Sequence, residues 1–402
     1  MQIKRDYSEP FFGARRRRRS LVRPLILFGL LIGALLLVVY NQFDQLQHMA
    51  LEMVGMAPTP TALPSELATQ GTELARFGDL EGAAILFEQI IQQRPNDVNY
   101  LVEYGAILIE LDEVDQALAL AERALELAAS DPRGYALKGR ALVWSGSATA
   151  AIPVALDGLE IDPNYAPLLA TLARAYADTG RWGEALDYGE RAVQLDPSDA
   201  DNHRSYAYTL TWVGETELAI DELQQAIALN PNLVNPYFEL ALQYLALNLD
   251  QEAIDTYDHI LSLQPRNAKA LLRQCEAYRK VGQFERAVGY CEDAVTADPD
   301  YTPAHFQLGM LRYNQRDFAA ALVSFDQCVS NDVGQIECQY RRGLSHYYLG
   351  DCDTGWDILQ TSLAMAQGRT GVETVIDNIR QGMTEIINHC AGYAGRAVDG
   401  DG

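Results

Sequence analysis

The 402-residue sequence predicts an all-α solenoid of about nine helix-turn-helix repeats behind an N-terminal transmembrane helix. Three observations predict it. A helix-stopping dipeptide ending in proline returns as Asp196-Pro197, Asn230-Pro231, Gln264-Pro265 and Asp298-Pro299, each 34 residues after the last. Small residues recur at two fixed places between those stops. A charge-free apolar run follows a block of arginines near the N-terminus.

Residues 1–23 form a basic tail. They carry Lys4, Arg5, Arg15 to Arg19 and Arg23 against Asp6 and Glu9, a net of +6. The whole chain is at −24, so residues 24–402 hold −30. A body that acidic offers no basic face for phosphates, which excludes nucleic acid as its partner.

Residues 24–40, PLILFGLLIGALLLVVY, contain no charge and would span about 25 Å as a helix, the short end of a membrane crossing. The arginines flank one side and the first acid on the other is Asp44. The positive-inside rule therefore expects a cytoplasmic N-terminus, an uncleaved signal-anchor and a body outside the cytoplasm. A cleaved signal peptide fits less well, because the run is long and no Ala-x-Ala site follows it. A buried soluble helix would seldom carry such flanks. Residues 41–63 read as a juxtamembrane helix running into a Pro-rich linker, APTPTALP, a semi-extended spacer.

With Pro197 as position 32 of a 34-residue unit, units begin at Pro64, Val98, Pro132, Ala166, Ala200, Val234, Ala268, Thr302 and Ile336, covering 64–369. Position 8 is Gly, Ala or Cys in every unit, and position 20 is Ala in all but the last, which has Gly355. Small side chains there let two successive helices approach closely. Position 15 is often glycine (Gly78, Gly146, Gly180, Gly214, Gly282, Gly350), suited to the turn between them. Phe87, Tyr257 and Phe325 at position 24 fill the remaining space. Position 32 proline ends the second helix, since the residue before proline disfavours the helical region. Pro153 falls inside an expected helix and should shorten or kink it. The ninth unit is degenerate, with Gln367 at position 32. Residues 370–390, including GVETVIDNIRQGMTEIINHC, read as an amphipathic capping helix, and 391–402 as a disordered tail.

This pattern resembles the tetratricopeptide repeat family, over about 306 of the 402 residues. Position 4 departs from it, being Leu, Tyr, His or Gln and never Trp. The resemblance implies a right-handed superhelix whose first helices line a concave lane through positions 2, 5, 9 and 12. Those positions hold Arg133, Arg140, Arg174 and Arg204, then Tyr208, Phe238, Leu242, Phe306, Met310, Tyr313, Tyr340 and Tyr347, with Lys269 and Arg279 among them. Arginine pairs bidentately with carboxylates and aromatics supply stacking area, so the expected ligand is an extended or helical peptide carrying acidic groups. The competing expectation pairs these arginines with acids on neighbouring helices. The Lys/Asn clamp that some family members use for a terminal carboxylate has no counterpart, since the corresponding positions are Ala68, Thr72 and Val102.

No phosphate-cradling GxxxxGK[ST], GxSxG or HExxH occurs, and neither a catalytic residue nor a cofactor is expected. His203 and His305 fall at position 4, where packing is the expected role rather than metal binding. Pairs such as Asp112/Glu113 and Glu215/Glu217 read as solvated turns. All six cysteines lie between Cys275 and Cys390, without a CxxC, so no zinc site is expected. Outside the cytoplasm disulfides are allowed. Cys275 and Cys291 would face each other across one helix pair, Cys328 and Cys338 flank an inter-repeat turn, and Cys352 could reach Cys390. The alternative is that all six are small buried residues.

The function expected is a membrane-anchored scaffold that holds a protein or peptide in its groove. The alternative is an accessory subunit of an envelope glycan or polysaccharide biosynthesis or export complex, in which aromatic-rich units six to nine stack on sugars. Self-association is left open.

Overall fold

A computed structural model describes residues 63–332 and 334–398. The basic tail, the apolar run 24–40 and residues 41–62 fall outside the described residues. Among the described residues no helix is long and apolar enough to cross a membrane.

The described chain is all-α, with nineteen helices and no strand. The first two units are α1 (Pro64–Arg76) and α2 (Leu80–Gln93), then α3 (Val98–Glu110) and α4 (Val114–Leu127). The third and fourth are α5 (Pro132–Trp144) and α6 (Ala148–Ile161), then α7 (Ala166–Asp178) and α8 (Trp182–Leu195). The fifth and sixth are α9 (Ala200–Val213) and α10 (Thr216–Leu229), then α11 (Asn235–Ala246) and α12 (Asp250–Leu263). The seventh and eighth are α13 (Ala268–Lys280) and α14 (Phe284–Ala297), then α15 (Thr302–Asn314) and α16 (Phe318–Asn331). The ninth is α17 (Ile336–Tyr348) and α18 (Cys352–Ala366), followed by α19 (Glu373–His389).

The 34-residue pattern has a direct cause in packing. The alanines at position 20, from Ala83 to Ala321, are fully buried where the paired helices touch. At position 8 there is no room for more: a Cβ on Gly105 would come within 2.4 Å of Leu137, and one on Gly71 within 2.8 Å of Phe87. Position 15 is left-handed in every unit. Six are glycines with φ between 75° and 89°, and the other three are Asp112, Asn248 and Arg316 at φ 66°, 59° and 62°. The turn therefore dictates its conformation even where the residue type does not favour it.

Position 4 carries a second repeated device. Tyr135, His203, Tyr237 and His305 reach the carbonyl at position 32 of the preceding unit, at 3.2, 3.0, 2.9 and 2.8 Å. These polar tips stitch one unit to the next, and His203 also holds Glu222 at 2.6 Å.

Two expectations are corrected. Pro153 does not shorten its helix; α6 runs the same 14 residues as α4. Pro153 and Thr149 are both exposed, so the proline that lacks an N–H sits on the outer face of the helix. Residues 391–398 are not a loose tail. Tyr393 is 5% exposed, donates its hydroxyl to Asp353 and sits 5.3 Å from the Trp356 ring. An aromatic with a hydroxyl partner closes the end of the core that α19 begins with Ile379, Met383 and Ile386.

The six cysteines form three disulfides. Cys275–Cys291 ties α13 to α14, Cys328–Cys338 ties α16 to α17, and Cys352–Cys390 ties the start of α18 to the end of α19, with Cα separations of 5.3, 6.2 and 6.3 Å. All lie in units seven to nine and the capping helix.

The first units are held differently. The turn before α11 reaches back to the start of the array. Asn232 donates to the Arg76 carbonyl at 3.1 Å, and Leu233, 7% exposed, joins a cluster with Leu67, Leu80, Phe87, Ile90 and Ile107. The superhelix thus closes between units one to two and the junction of units five and six.

Candidate functional site

The first helices of units two to five converge on a cleft of about 170 Å³, lined by residues of α3, α5, α7 and α9 and by the turns that lead into them. Arg133, Arg140, Arg174 and Ser205 face it with Trp144, Tyr165 and Thr171. A second cleft of about 480 Å³ lies between the start of the array and α11 to α13, lined by Leu80, Trp144, Phe238, Leu242, Tyr257 and Lys269 among others.

A buried ion network forms the wall shared by the two clefts. Glu110, at the end of α3, binds Arg140 at 2.5 Å and Arg204 at 2.9 Å. Arg140 also binds Asp201 at 2.5 Å, and Arg204 binds Asp201 at 3.1 Å and Glu239 at 2.9 Å. Asn235 donates its amide to Glu110 at 2.7 Å, so the network also fastens α11 to α3. Burial would raise the Glu110 carboxyl, but the Arg204 and Arg140 guanidiniums and the Asn235 amide hold it at about 2. Arg204 is 1% exposed; burial opposes its charge, and Glu110, Glu239 and Asp201 outweigh that and raise its pKa. For Arg140 and Arg204, pairing with neighbouring helices replaces the expected role of direct ligand contact.

The other arginines behave differently. Arg133 is occupied by Asp131 at 2.6 Å and Asn99 at 2.8 Å. Arg174 lies between two rings, 4.7 Å from Trp144 and 4.5 Å from Tyr208. Among the described residues no acid lies in ion-pair range of it, and burial lowers its pKa. Tyr208 donates its hydroxyl to Asp178.

The later lane residues do not form one surface. Phe238 is buried beneath the Lys269 ammonium at 4.8 Å, while Leu242 is 51% exposed in the second cleft. Arg279 is exposed and Met310 half-buried. Phe306 packs on the Cys328–Cys338 disulfide, and Tyr340 is a core residue, not a groove residue. Tyr313 centres an aromatic group with Phe318, Phe325 and Tyr348, and Tyr347 meets His389 at 3.3 Å. Of these positions the core takes Phe238 and Tyr340, and leaves Leu242 and Arg279 at the surface.

The lane positions miss Glu110 and Trp144, which both stand at position 13 of their units, and Glu239 at position 6; Asn235 holds lane position 2 but was not among the residues singled out. Only the closing of the superhelix brings α3 and α11 together. The one available signal was an acid and an indole at the ends of first helices.

Known proteins fit this geometry. The family described as Tetratricopeptide repeat matches residues 74–141, 166–199, 238–302 and 272–331. Over those stretches the chain matches tetratricopeptide repeats. The repeats are 29% identical over 101 residues to the mouse Superkiller complex protein 3, covering 25% of this chain and 6% of that one. They are 31% identical over 93 residues to the heat-shock protein cognate co-chaperone sgt12 of Aspergillus fumigatus, covering 23% of this chain and 27% of that one. The chain thus spans only a small part of either relative. Among solved structures, the APC/C hetero-tetramer Cut9-Hcn1 has a similar fold, with a TM-score of 0.54 at 16% identity, over 75% of this chain and 59% of that one.

Proposed function

We propose that the chain is a membrane-anchored scaffold whose repeats hold a protein or peptide partner bearing acidic groups. The observation that carries the binding role is the first cleft, where the Arg174 guanidinium lies between aromatic rings with no acid in ion-pair range among the described residues. Tetratricopeptide repeats generally mediate protein–protein interaction, which supports a binding role rather than chemistry of its own. The anchor is read from residues 24–40 and their arginine flank, with the N-terminus cytoplasmic and the repeats outside the cytoplasm. Three disulfides suit that compartment.

Topology is tested with a membrane-impermeant maleimide on intact cells, before and after an impermeant reductant. Labelling of the six cysteines on intact cells only after reduction is the expected result. Labelling that always requires lysis would put the repeats in the cytoplasm and sink the anchor orientation. Binding is tested by a photo-crosslinking residue at Ala106, which lines the first cleft. Recovery of a discrete protein adduct is expected, and its loss when the probe moves to exposed Thr149.

A second reading, an accessory role in envelope glycan assembly, rests on the aromatic group at α15 to α17. Phe318 and Tyr348 stack at 4.5 Å, and Tyr348 is half exposed. Crosslinks recovered there to enzymes of glycan assembly, and none from Ala106, would favour it.

A further inference from the structure

We propose that the first cleft is a carboxylate-binding site centred on Arg174, and that the Glu110 network ends the lane there. The proposal rests on the peptide-binding reading above and deepens it.

The chemistry of the neighbouring groups leaves one donor over. Arg133 is held by Asp131 and Asn99, and Arg140 and Arg204 are held by Glu110, Asp201 and Glu239. Trp144 and Tyr208 cover Arg174, and its N–H groups make no hydrogen bond among the described residues. Aromatic faces hold the half-buried guanidinium in place, but they accept none of its in-plane hydrogen bonds. An arginine so placed is complementary to a planar carboxylate, which takes two parallel N–H donors.

Two acids also face the cleft. Asp201 is already bound to Arg140 and Arg204. Asp199 accepts the Asp201 N–H at the start of α9, and its carboxyl is pushed upward, first by burial and then by Asp201. Glu239, in the adjoining wall, pulls on Arg174 more strongly than Asp201 does, but none of these three acids is in ion-pair range of it.

The wall beyond the cleft gives the site its direction. Arg140 and Asp201 line the first cleft, Glu110, Asn235 and Glu239 line the second, and ion pairs join the two sets. A lane that would run through units two to seven is therefore divided at Glu110. A ligand in the first cleft meets this wall, and its carboxylate comes either from a chain end or from an acidic side chain.

The experiment titrates the full chain with three synthetic peptides and follows arginine side-chain Nε resonances. The probes are acetyl-Ala-Ala-Leu with a free carboxylate, the same peptide amidated, and amidated acetyl-Ala-Glu-Leu. The expected result is a saturable shift of the Arg174 resonance by one or both acid-bearing peptides, with affinity at least about tenfold above the neutral amide. Tighter binding of the free acid identifies a chain end, and tighter binding of the glutamyl peptide a side chain. Arg174→Met should abolish the preference, and Arg174→Lys should lose most of it because the fork is gone. Arg279→Met, on an exposed residue outside both clefts, should keep it.

Equal binding of acid and amide, or no shift of Arg174 at 10 millimolar peptide, on the order of the weakest specific binding, overturns the proposal. The unmodified chain supplies that result, so a poorly folded Arg174 variant does not obscure it. A protein adduct at Ala106 that survives Arg174→Met would leave the scaffold reading standing and remove this site alone.

Discussion

Units one to six and units seven to nine repeat the same 34-residue plan but are secured by different physics. The first group contains no cysteine and closes on itself, through a buried ion network and the Asn232–Leu233 turn. The second group, with its capping helix, contains all six cysteines, and disulfides staple it within unit seven, between units eight and nine, and from unit nine to the cap. A repeat array gains stability mainly from nearest neighbours, so each added device should act on its own stretch. The difference teaches that fold and reinforcement are separable. The repeat supplies the packing, and long-range closure or crosslinking sets how firmly a given stretch is held.

The largest expected effect comes from Glu110→Ala. It leaves Arg204 buried without its central acid, and breaking such a pair costs about 3–5 kcal/mol. Hydrogen exchange should show α1 to α11 losing protection while α13 to α19 keep it; a uniform loss would contradict the comparison. The pH dependence has a definite sign. The folded Glu110 value, about 2, lies below the ordinary 4.5, so its contribution is fully present above 4.5 and is lost as pH falls from there toward 2.

Next is the pair Cys352→Ser and Cys390→Ser together. The bond closes 38 residues, for which loop-closure entropy gives about 4 kcal/mol. Exchange should rise in α19 and in the segment that carries Tyr393, with α1 to α11 unchanged. A loss of protection at the network would show that the two regions are coupled.

A smaller effect separates the closure from the repeat itself. Gly180→Ala places a side chain at φ 75° in open space and should cost about 1 kcal/mol from backbone conformation alone. Gly78→Ala has the same conformation, but its Cβ would lie 2.5 Å from the Asn232 carbonyl oxygen. It should cost more, and the excess measures the closing contact. Equal losses in thermal unfolding would mean that this contact contributes nothing.

The smallest effect concerns His203, whose pKa is raised by its bond to Glu222. Its contribution is present below the ordinary histidine value of about 6.5 and fades as pH rises through the higher folded value. His203→Gln should flatten that slope in α9 and α10, as read by exchange across neutral pH. An unchanged slope would assign the pH response elsewhere.

Much of the fold was legible because its determinants are local and repeated. Eight of the nine first helices begin on the residue that opens the unit, and α11 begins one residue late, where its turn bends toward the array's start. Gly71 and Gly105 are small because a neighbouring ring or leucine occupies the space, a constraint that recurs at one phase. The candidate site was less legible. Arg174 was found by its lane position, but the same rule offered Arg140, Arg204 and Tyr340 with equal force. Their fates depend on which acid or core residue stands opposite, and lane position carries no such information.

The sequence by itself determined the repeat length, the helix pairs, their turns and the acidic character of the body, since each follows from neighbours within 34 residues. Tertiary structure alone decided that the array closes between units two and six, with Glu110 and Asn235 meeting across 125 residues. It also decided which arginine would be left without an acid. Small rotations between units add up along the chain, and only their sum brings distant side chains within hydrogen-bonding reach.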